Sequence, residues 1–254
     1  MNQLEETVYP EDISLDSFSV QDALNDRFWD EDEMMDIHIR RALLVIAKDF
    51  IDEFGLGEYA IEDIIMTGSL ANYNWSEEFS DVDLHIIMDI TQLNPEYEIA
   101  KSIADALRNV WNKTHTDISV GGFPVELYIQ DSHEPHKSSG VYSLLDDTWR
   151  TQPSHDNLEG DIEEDEIKSK VSEYMNLIDT IEEIYADEEP FKMYNSCAKL
   201  MDKIKAERAE GLQTDDAAEL TTGNLIFKSL RRNGYIEKLI DIKRKCFDLS
   251  RSIK

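Results

Sequence analysis

Basic residues are scarce in this chain: 25 Lys and Arg stand against 55 Asp and Glu, a formal net charge of −30. Such a balance repels bare nucleic acid and anionic membranes unless positive charge is gathered in one place, so no extended DNA binding is expected. Cysteine is scarcer still. Cys197 and Cys246 alone make no disulfide framework and suit a reducing compartment, so the expected location is cytoplasmic. The N-terminal stretch MNQLEETVYPEDISLD is acidic and lacks an apolar segment, which argues against a secretory signal. No apolar run reaches about 18 residues, so no membrane span is expected. Glycine and proline are also few, ten and six, and no low-complexity tract or internal repeat occurs. What is present suffices for a folded core: 254 residues, 41% hydrophobic and 9% aromatic, enough for one large domain or two smaller ones.

The charge is unevenly spread. Residues 1–36 carry twelve acidic side chains against Arg27 alone, and 156–189 carry fourteen against Lys168 and Lys170. Residues 221–254 reverse the sign, with nine Lys or Arg against Glu237, Asp241 and Asp248. Solvated helix faces account for most such runs. The functional alternative is a basic end that meets phosphates.

Periodicity divides the chain into an α/β half and a helical half. Residues 1–36 read as an acidic arm, loosely docked, with one short helix near Val20–Phe28. Ile37, Ile39, Leu43, Leu44, Ile46, Ala47, Phe50 and Ile51 recur at helical spacing before Gly55 and Gly57. Ile61–Thr67 reads as a buried strand broken at Gly68-Ser69. Asp81–Asp89 alternates, with Val82, Leu84 and Ile86 on one face and Asp81, Asp83 and His85 on the other. Glu96–Trp111 is an amphipathic helix, and Val125–Gln130 alternates again, with Glu126, Tyr128 and Gln130 on the polar face. Helical patterns then cover 162–187, 190–209, 215–230 and 234 onward. The reading is an α+β protein: an arm (1–36), a small mixed-sheet core with flanking helices (37–153) and an all-helical domain (154–254).

Chemistry concentrates in the first half. Asp81 and Asp83, two apart on a strand, share a face at about 6.5–7 Å. At an effective dielectric near 20 their carboxylates repel by roughly 2–3 kcal/mol, and Glu126 on a matching face adds to the cost. Hard divalent cations with oxygen ligands offset such repulsion, and two of them can clamp an in-line phosphoryl transfer. Gly68 permits close backbone approach, and Ser69, with the helix N-terminus expected after it, offers donors to a phosphate.

Gly-Ser, about ten residues, Asp-x-Asp between apolar positions and a third carboxylate on a later strand together resemble the DNA polymerase β-like nucleotidyltransferase superfamily. The segments that carry the resemblance are TGSLANYNWSEEFSDVDLHIIMD (67–89) and PVELYIQ (124–130), which span the catalytic core only. The chain as a whole also looks like uncharacterised nucleotidyltransferase-like proteins of phage and bacteria. The resemblance implies that Asp81 and Asp83 hold Mg²⁺ or Mn²⁺, that Glu126 completes the metal site and helps activate the attacking hydroxyl, and that Gly68 and Ser69 hold the β/γ-phosphates. Asp is frequent in this family where Glu126 stands, and Asp117 or Asp131 are alternatives for the third ligand. The alternation favours Glu126, because Asp131 falls on the apolar side.

In one respect the sequence departs from what a triphosphate site needs. No Lys or Arg occurs between Lys48 and Lys101. The expected counter-charge therefore lies with the metals and with Lys199, Lys203, Lys205, Arg208, Lys228, Arg231 and Arg232. Lys199 and Lys203, four apart, share a helix face and are the nucleotide-binding candidates. Their alternative role is to pair with acidic helices. Among the remaining polar residues, His85 shares the face of the Asp pair, and Tyr73, Asn74 and Trp75 stand where a base could stack or where a hydrophobic lid would form. The string Asp131-Ser132-His133-Glu134-Pro135-His136 lacks further His or Cys to complete a zinc set. The expected activity is transfer of a nucleoside monophosphate from an NTP to a hydroxyl of a short RNA end, a protein, a nucleotide or a small molecule. The rival is a non-catalytic acidic protein that covers a partner's basic surface.

Overall fold

In a computed structural model of the chain, residues 7–134, 138–155, 163–211 and 220–252 are described. Two compact units emerge: Ser19–Glu159, and Met1–Phe18 together with Gly160–Lys254. The protein is mixed α/β, with one six-stranded mixed sheet and six α-helices among the described residues. None of these helices is long and apolar enough to cross a membrane.

The first unit holds the sheet. Helix α1 (Ile37–Glu53) starts where the Asp36 carboxylate accepts from the backbone N–H of His38 and Ile39. It buries Leu43, Ala47 and Phe50, spaced for one helical face, and ends near Gly55 at φ +64°. Strands β1 (Ile61–Thr67) and β2 (Val82–Met88) pair antiparallel, with Thr67 opposite Asp83. Helix α2 (Tyr97–Thr114) then carries the chain across, so that β4 (Phe123–Asp131) lies parallel to β2. The short strand β3 (Ser119–Val120) pairs with the start of β4, and β5 (Val141–Ser143) and β6 (Thr148–Thr151) extend the far side. The strand order is β3-β4-β2-β1-β5-β6.

Beyond β3 the outer edge of β4 meets a side chain instead of a strand. Asn112 of α2 donates to the Leu127 carbonyl and accepts from the Leu127 N–H, both at 3.1 Å, so this edge keeps its backbone pairing.

The second part of the N-terminal arm belongs to the sheet unit. Phe28 and Trp29 are buried, and Trp29 stacks on Trp149 with ring centroids 4.4 Å apart. The short helix expected near Val20–Phe28 does not form: only a turn closes there, with the Phe28 and Trp29 N–H groups both reaching the Asn25 carbonyl. The Asn25 side chain braces the turn, its own carbonyl accepting from Arg27 N. Residues 1–6 of the arm lie outside the described residues.

The second unit is helical: α3 (Glu164–Ile184), α4 (Pro190–Gly211), α5 (Thr222–Arg232) and α6 (Tyr235–Arg251). Three acids open α3 and two arginines close α5, each sign matched to its end of the helix dipole. The N-terminal strap of this unit is held by reciprocal hydrogen bonds between Val8 and the Asn176 side chain, and by the Arg232 guanidinium 3.8 Å over the Phe18 ring. Of the helix expected over 215–230, residues 215–219 lie outside the described residues, as does residue 162 of the helix expected over 162–187.

Surplus carboxylates need donors, and cations are few. Tyrosine hydroxyls fill the gap: Tyr73 donates to Glu33, Tyr97 to Glu134, Tyr142 to Asp147, Tyr174 to Glu207 and Tyr235 to Asp179, at 2.6–2.9 Å. A sixth such pair lies on the polar face of the sheet.

Candidate functional site

Strands β2 and β4 run parallel and in register, so their alternate positions form shared rungs. Asp83 stands opposite Glu126, His85 opposite Tyr128 and Ile87 opposite Gln130. Adjacent strands lie about 4.8 Å apart, which sets the two carboxylate-bearing residues side by side. Val82, Leu84, Val125 and Leu127 are buried on the opposite face, while Asp81, Asp83, Glu126 and Tyr128 are half-exposed. The alternation of each strand fixes which side chains face out, and the parallel register brings the two sets together.

Tyr128 sits among these acids. Its hydroxyl donates to Glu126 Oε2 at 2.5 Å. Burial pushes its pKa far above the usual tyrosine range, and the negative charges of Asp83, Glu126 and Asp81 push it further the same way. The proton therefore stays on Tyr128 and remains available to Glu126. The ring is flanked by His85, at a centroid separation of 4.7 Å, and by the Arg108 guanidinium, 5.2 Å from the ring centroid. His85 Nδ1 in turn lies 2.8 Å from Gln130 Oε1.

Arg108 changes the reading of the core's charge. The span without Lys or Arg ends at Lys101, yet α2 returns over β4 and brings this arginine to the carboxylate-bearing strand. Its position on α2, four after the buried Ala104, is the signal that could have revealed it.

Gly68 follows β1 directly and adopts φ +76°, a conformation natural to glycine. A Cβ built there would overlap the Asp83 carboxylate, so the missing side chain is what lets Asp83 lie against the turn. The helix expected after Ser69 is instead a three-residue 3₁₀ turn, Ser69–Ala71. It stops because the Asn72 side-chain carbonyl captures the Tyr73 N–H while the amide donates to Ser139. No helix N-terminus therefore opens at Ser69. Its hydroxyl pairs with Ser80 Oγ at 2.8 Å, and Ser80 Oγ also accepts from Ser76 N. The turn is braced on further sides: Trp29 Nε1 donates to the Leu70 carbonyl, Thr67 Oγ1 donates to the Gly140 carbonyl, and Gly140 packs too close to the Ala71 carbonyl to admit a Cβ.

Other sequence candidates fall elsewhere. Tyr73 is committed to the interior, donating to Glu33 and stacking on His155 at 3.8 Å, with burial and then the Glu33 carboxylate raising its pKa to about 12. Trp75 donates its indole N–H to the Ala23 carbonyl. Asp117 is exposed in the turn before β3. Lys199 and Lys203 lie on α4 in the helical unit, where Lys203 stands 5.0 Å over the Tyr174 ring. Arg208 donates to Asn224 and Arg232 to Ser17, both within that unit.

A second group of donors lies at the other end of the same strands. Asp89, Asp131 and His133 place one ligand atom each within 4.8 Å of one another. Asp131 is buried on the apolar side of β4, as its place in the alternation predicts. At about 3.3 Å per residue this group is roughly 20 Å along β2 from Asp83, so Asp131 is no partner to the Asp81–Asp83 pair. Pro135 and His136 of the same string lie outside the described residues.

Comparison with family models, curated proteins and solved structures finds no match for the chain.

Proposed function

We propose that the chain is a metal-dependent nucleotidyltransferase, moving a nucleoside monophosphate from an NTP to an acceptor hydroxyl and releasing pyrophosphate. The observation that carries this reading is the rung joining Asp83 to Glu126, with Asp81 close enough to act on the same Tyr128 hydroxyl. Three carboxylates gathered on one half-exposed face repel one another, and a hard divalent cation is the chemical remedy that suits them. The donor set fits Mg²⁺ or Mn²⁺: all oxygen, with the Asp83 carboxylate admitted by the absent Cβ of Gly68. Asp81, Asp83 and Glu126 would hold the metal, which supplies Lewis-acid stabilisation of phosphate charge and a lowered pKa at the acceptor hydroxyl.

The chain's own groups have separable tasks in this reading. Tyr128 keeps Glu126 in one orientation through its hydrogen bond. Gly68 and Ser69 form a braced turn against which phosphate oxygens can rest, and Arg108, which also lies 3.7 Å from Asp105, is a cation that α2 brings to the Tyr128 ring. Fixed positions of this kind suit phosphoryl transfer, which depends on alignment and electrostatics more than on covalent chemistry.

The test is direct. The protein is incubated with Mg²⁺ or Mn²⁺ and each labelled NTP in turn, and pyrophosphate release is followed. Turnover is expected, and expected to vanish in Asp81→Ala/Asp83→Ala while the far-UV circular dichroism stays unchanged. A double variant that consumed NTP at the wild-type rate would sink the mechanism. Silence of the wild type with every nucleotide and both metals, together with tight binding to a basic protein surface, would return the non-catalytic reading.

A further inference from the structure

Between α4 and α6 of the helical unit lies an open cavity of about 290 Å³. Its apolar surface comes from Tyr194 and Met201 of α4 and from Ile240 and Phe247 of α6. Ile240 and Phe247 are 50% and 42% exposed, so these side chains present apolar surface to solvent instead of closing over it. The Tyr194 and Phe247 rings stand 5.6 Å apart at 52°, forming one wall.

The charged part of the lining is entirely cationic: Lys205, Lys243 and Arg244. That is the unusual feature in a chain with more than two acids per base. Five lysines away from the cavity, Lys48, Lys101, Lys168, Lys192 and Lys238, pair with carboxylates. Among the described residues Lys205 and Lys243 have no carboxylate within ion-pair distance, and Arg244 has only Asp241 of its own helix, at 3.0 Å. Lys243 leans inward over the Tyr194 ring at 5.7 Å. It also acts on Cys197 in the interior, whose thiol burial raises to about 11 while the Lys243 charge pulls the other way.

We propose that this cavity is a binding site for a small amphipathic anion, with an aromatic or alkyl body against the apolar wall and one anionic head at Lys205 and Lys243. The two ammonium groups select for negative charge, and the wall selects for an apolar body. The volume falls just below the usual range for small-molecule pockets, about 300–1,000 Å³, which suits a small ligand. Size is favoured by electrostatics as well. A second copy of the chain would bring another −30, whereas a monoanion inside the cavity responds chiefly to charges within a Debye length of about 8 Å. The proposal is independent of the nucleotidyltransferase reading.

The probe is 8-anilinonaphthalene-1-sulfonate, followed by fluorescence on the full chain and by the methionine methyl resonances of ¹³C-labelled protein. Saturable one-to-one binding is expected, with the Met201 methyl shifted, and the uncharged N-phenyl-1-naphthylamine binding at least tenfold more weakly. Lys205→Glu/Lys243→Glu should weaken the sulfonate at least tenfold with an unchanged melting temperature. The charge-matched control Lys168→Glu/Lys192→Glu, away from the cavity, should not. Equal affinity in the Lys205/Lys243 variant, equal affinity for the neutral probe, or binding without a shift at Met201 would each overturn the assignment. So would displacement of the sulfonate by a tighter-binding synthetic acidic amphipathic helix, which would make the groove a protein-docking site.

Discussion

Gly68 and Tyr128 hold the acidic face together from two sides. Gly68 is needed twice, for its positive φ and for the space its hydrogen leaves to Asp83. Gly68→Ala should cost about 1–2 kcal/mol from the backbone alone, with a further penalty as the carboxylate is displaced. Gly55→Ala, at a similar φ but in open space, isolates the backbone contribution. Urea denaturation of both variants should therefore show Gly68→Ala as the more destabilised, and equal losses would show that Asp83 moves aside freely. Tyr128 offers a second measurement at this scale. Its absorbance as tyrosinate should appear only well above pH 10, and Tyr128→Phe should remove one late-titrating group from the alkaline absorbance curve. A curve in which Tyr128 titrates like a free tyrosine would contradict the crowded placement of its hydroxyl.

The strands β2 and β4 show how far local pattern reaches. Each strand's alternation was legible, because one face packs on a core and the other does not, and a period of two records that difference. The helices α1 to α4 and α6 follow their apolar spacing to within a few residues. The pairing of Asp83 with Glu126 is of another kind. It depends on α2 carrying the chain over to make a parallel neighbour, and nothing in either strand's sequence specifies the register. Arg108 was hidden for the same reason, since its closeness to Tyr128 is a product of how α2 lies on β4. The turn after Ser69 escaped because a short run of small and polar residues suits a helix start and a 3₁₀ turn equally, and the Asn72 side chain decides between them. The strands β5 and β6 are too short to leave a periodic trace. Asn112 supplies an element-scale test. It closes the open edge of β4 with two hydrogen bonds to Leu127, next to Glu126. Asn112→Ala should lose about 1–3 kcal/mol, the cost of part-buried backbone groups left unpaired, and amide exchange should accelerate at Leu127 before other β4 positions.

For the molecule as a whole, the tyrosine–carboxylate pairs set a pH limit. Tyr73 and Tyr142 are raised to about 12, each first by burial and then by its carboxylate partner, and burial and Glu207 raise Tyr174 in the same direction. A folded pKa above the unfolded value near 10 means that the unfolded chain releases its proton first. The associated stability is complete below about pH 10 and is lost as the pH climbs toward 12. The urea midpoint should fall steadily over that window, and a midpoint independent of pH there would contradict the pairing.

The same choice of partner has a consequence for ionic strength. A hydroxyl that donates to a carboxylate leaves the negative charge uncancelled, so the folded chain keeps most of its self-repulsion. Added salt weakens that long-range repulsion, shortening the screening length from about 30 Å at 0.01 M to about 3 Å at 1 M. It scarcely touches a short hydrogen bond from a neutral donor. Salt should therefore raise the melting temperature of this protein, the opposite of what a fold fastened chiefly by surface ion pairs would show, and the acids that it leaves unmatched make dilute buffer its harshest ordinary solvent.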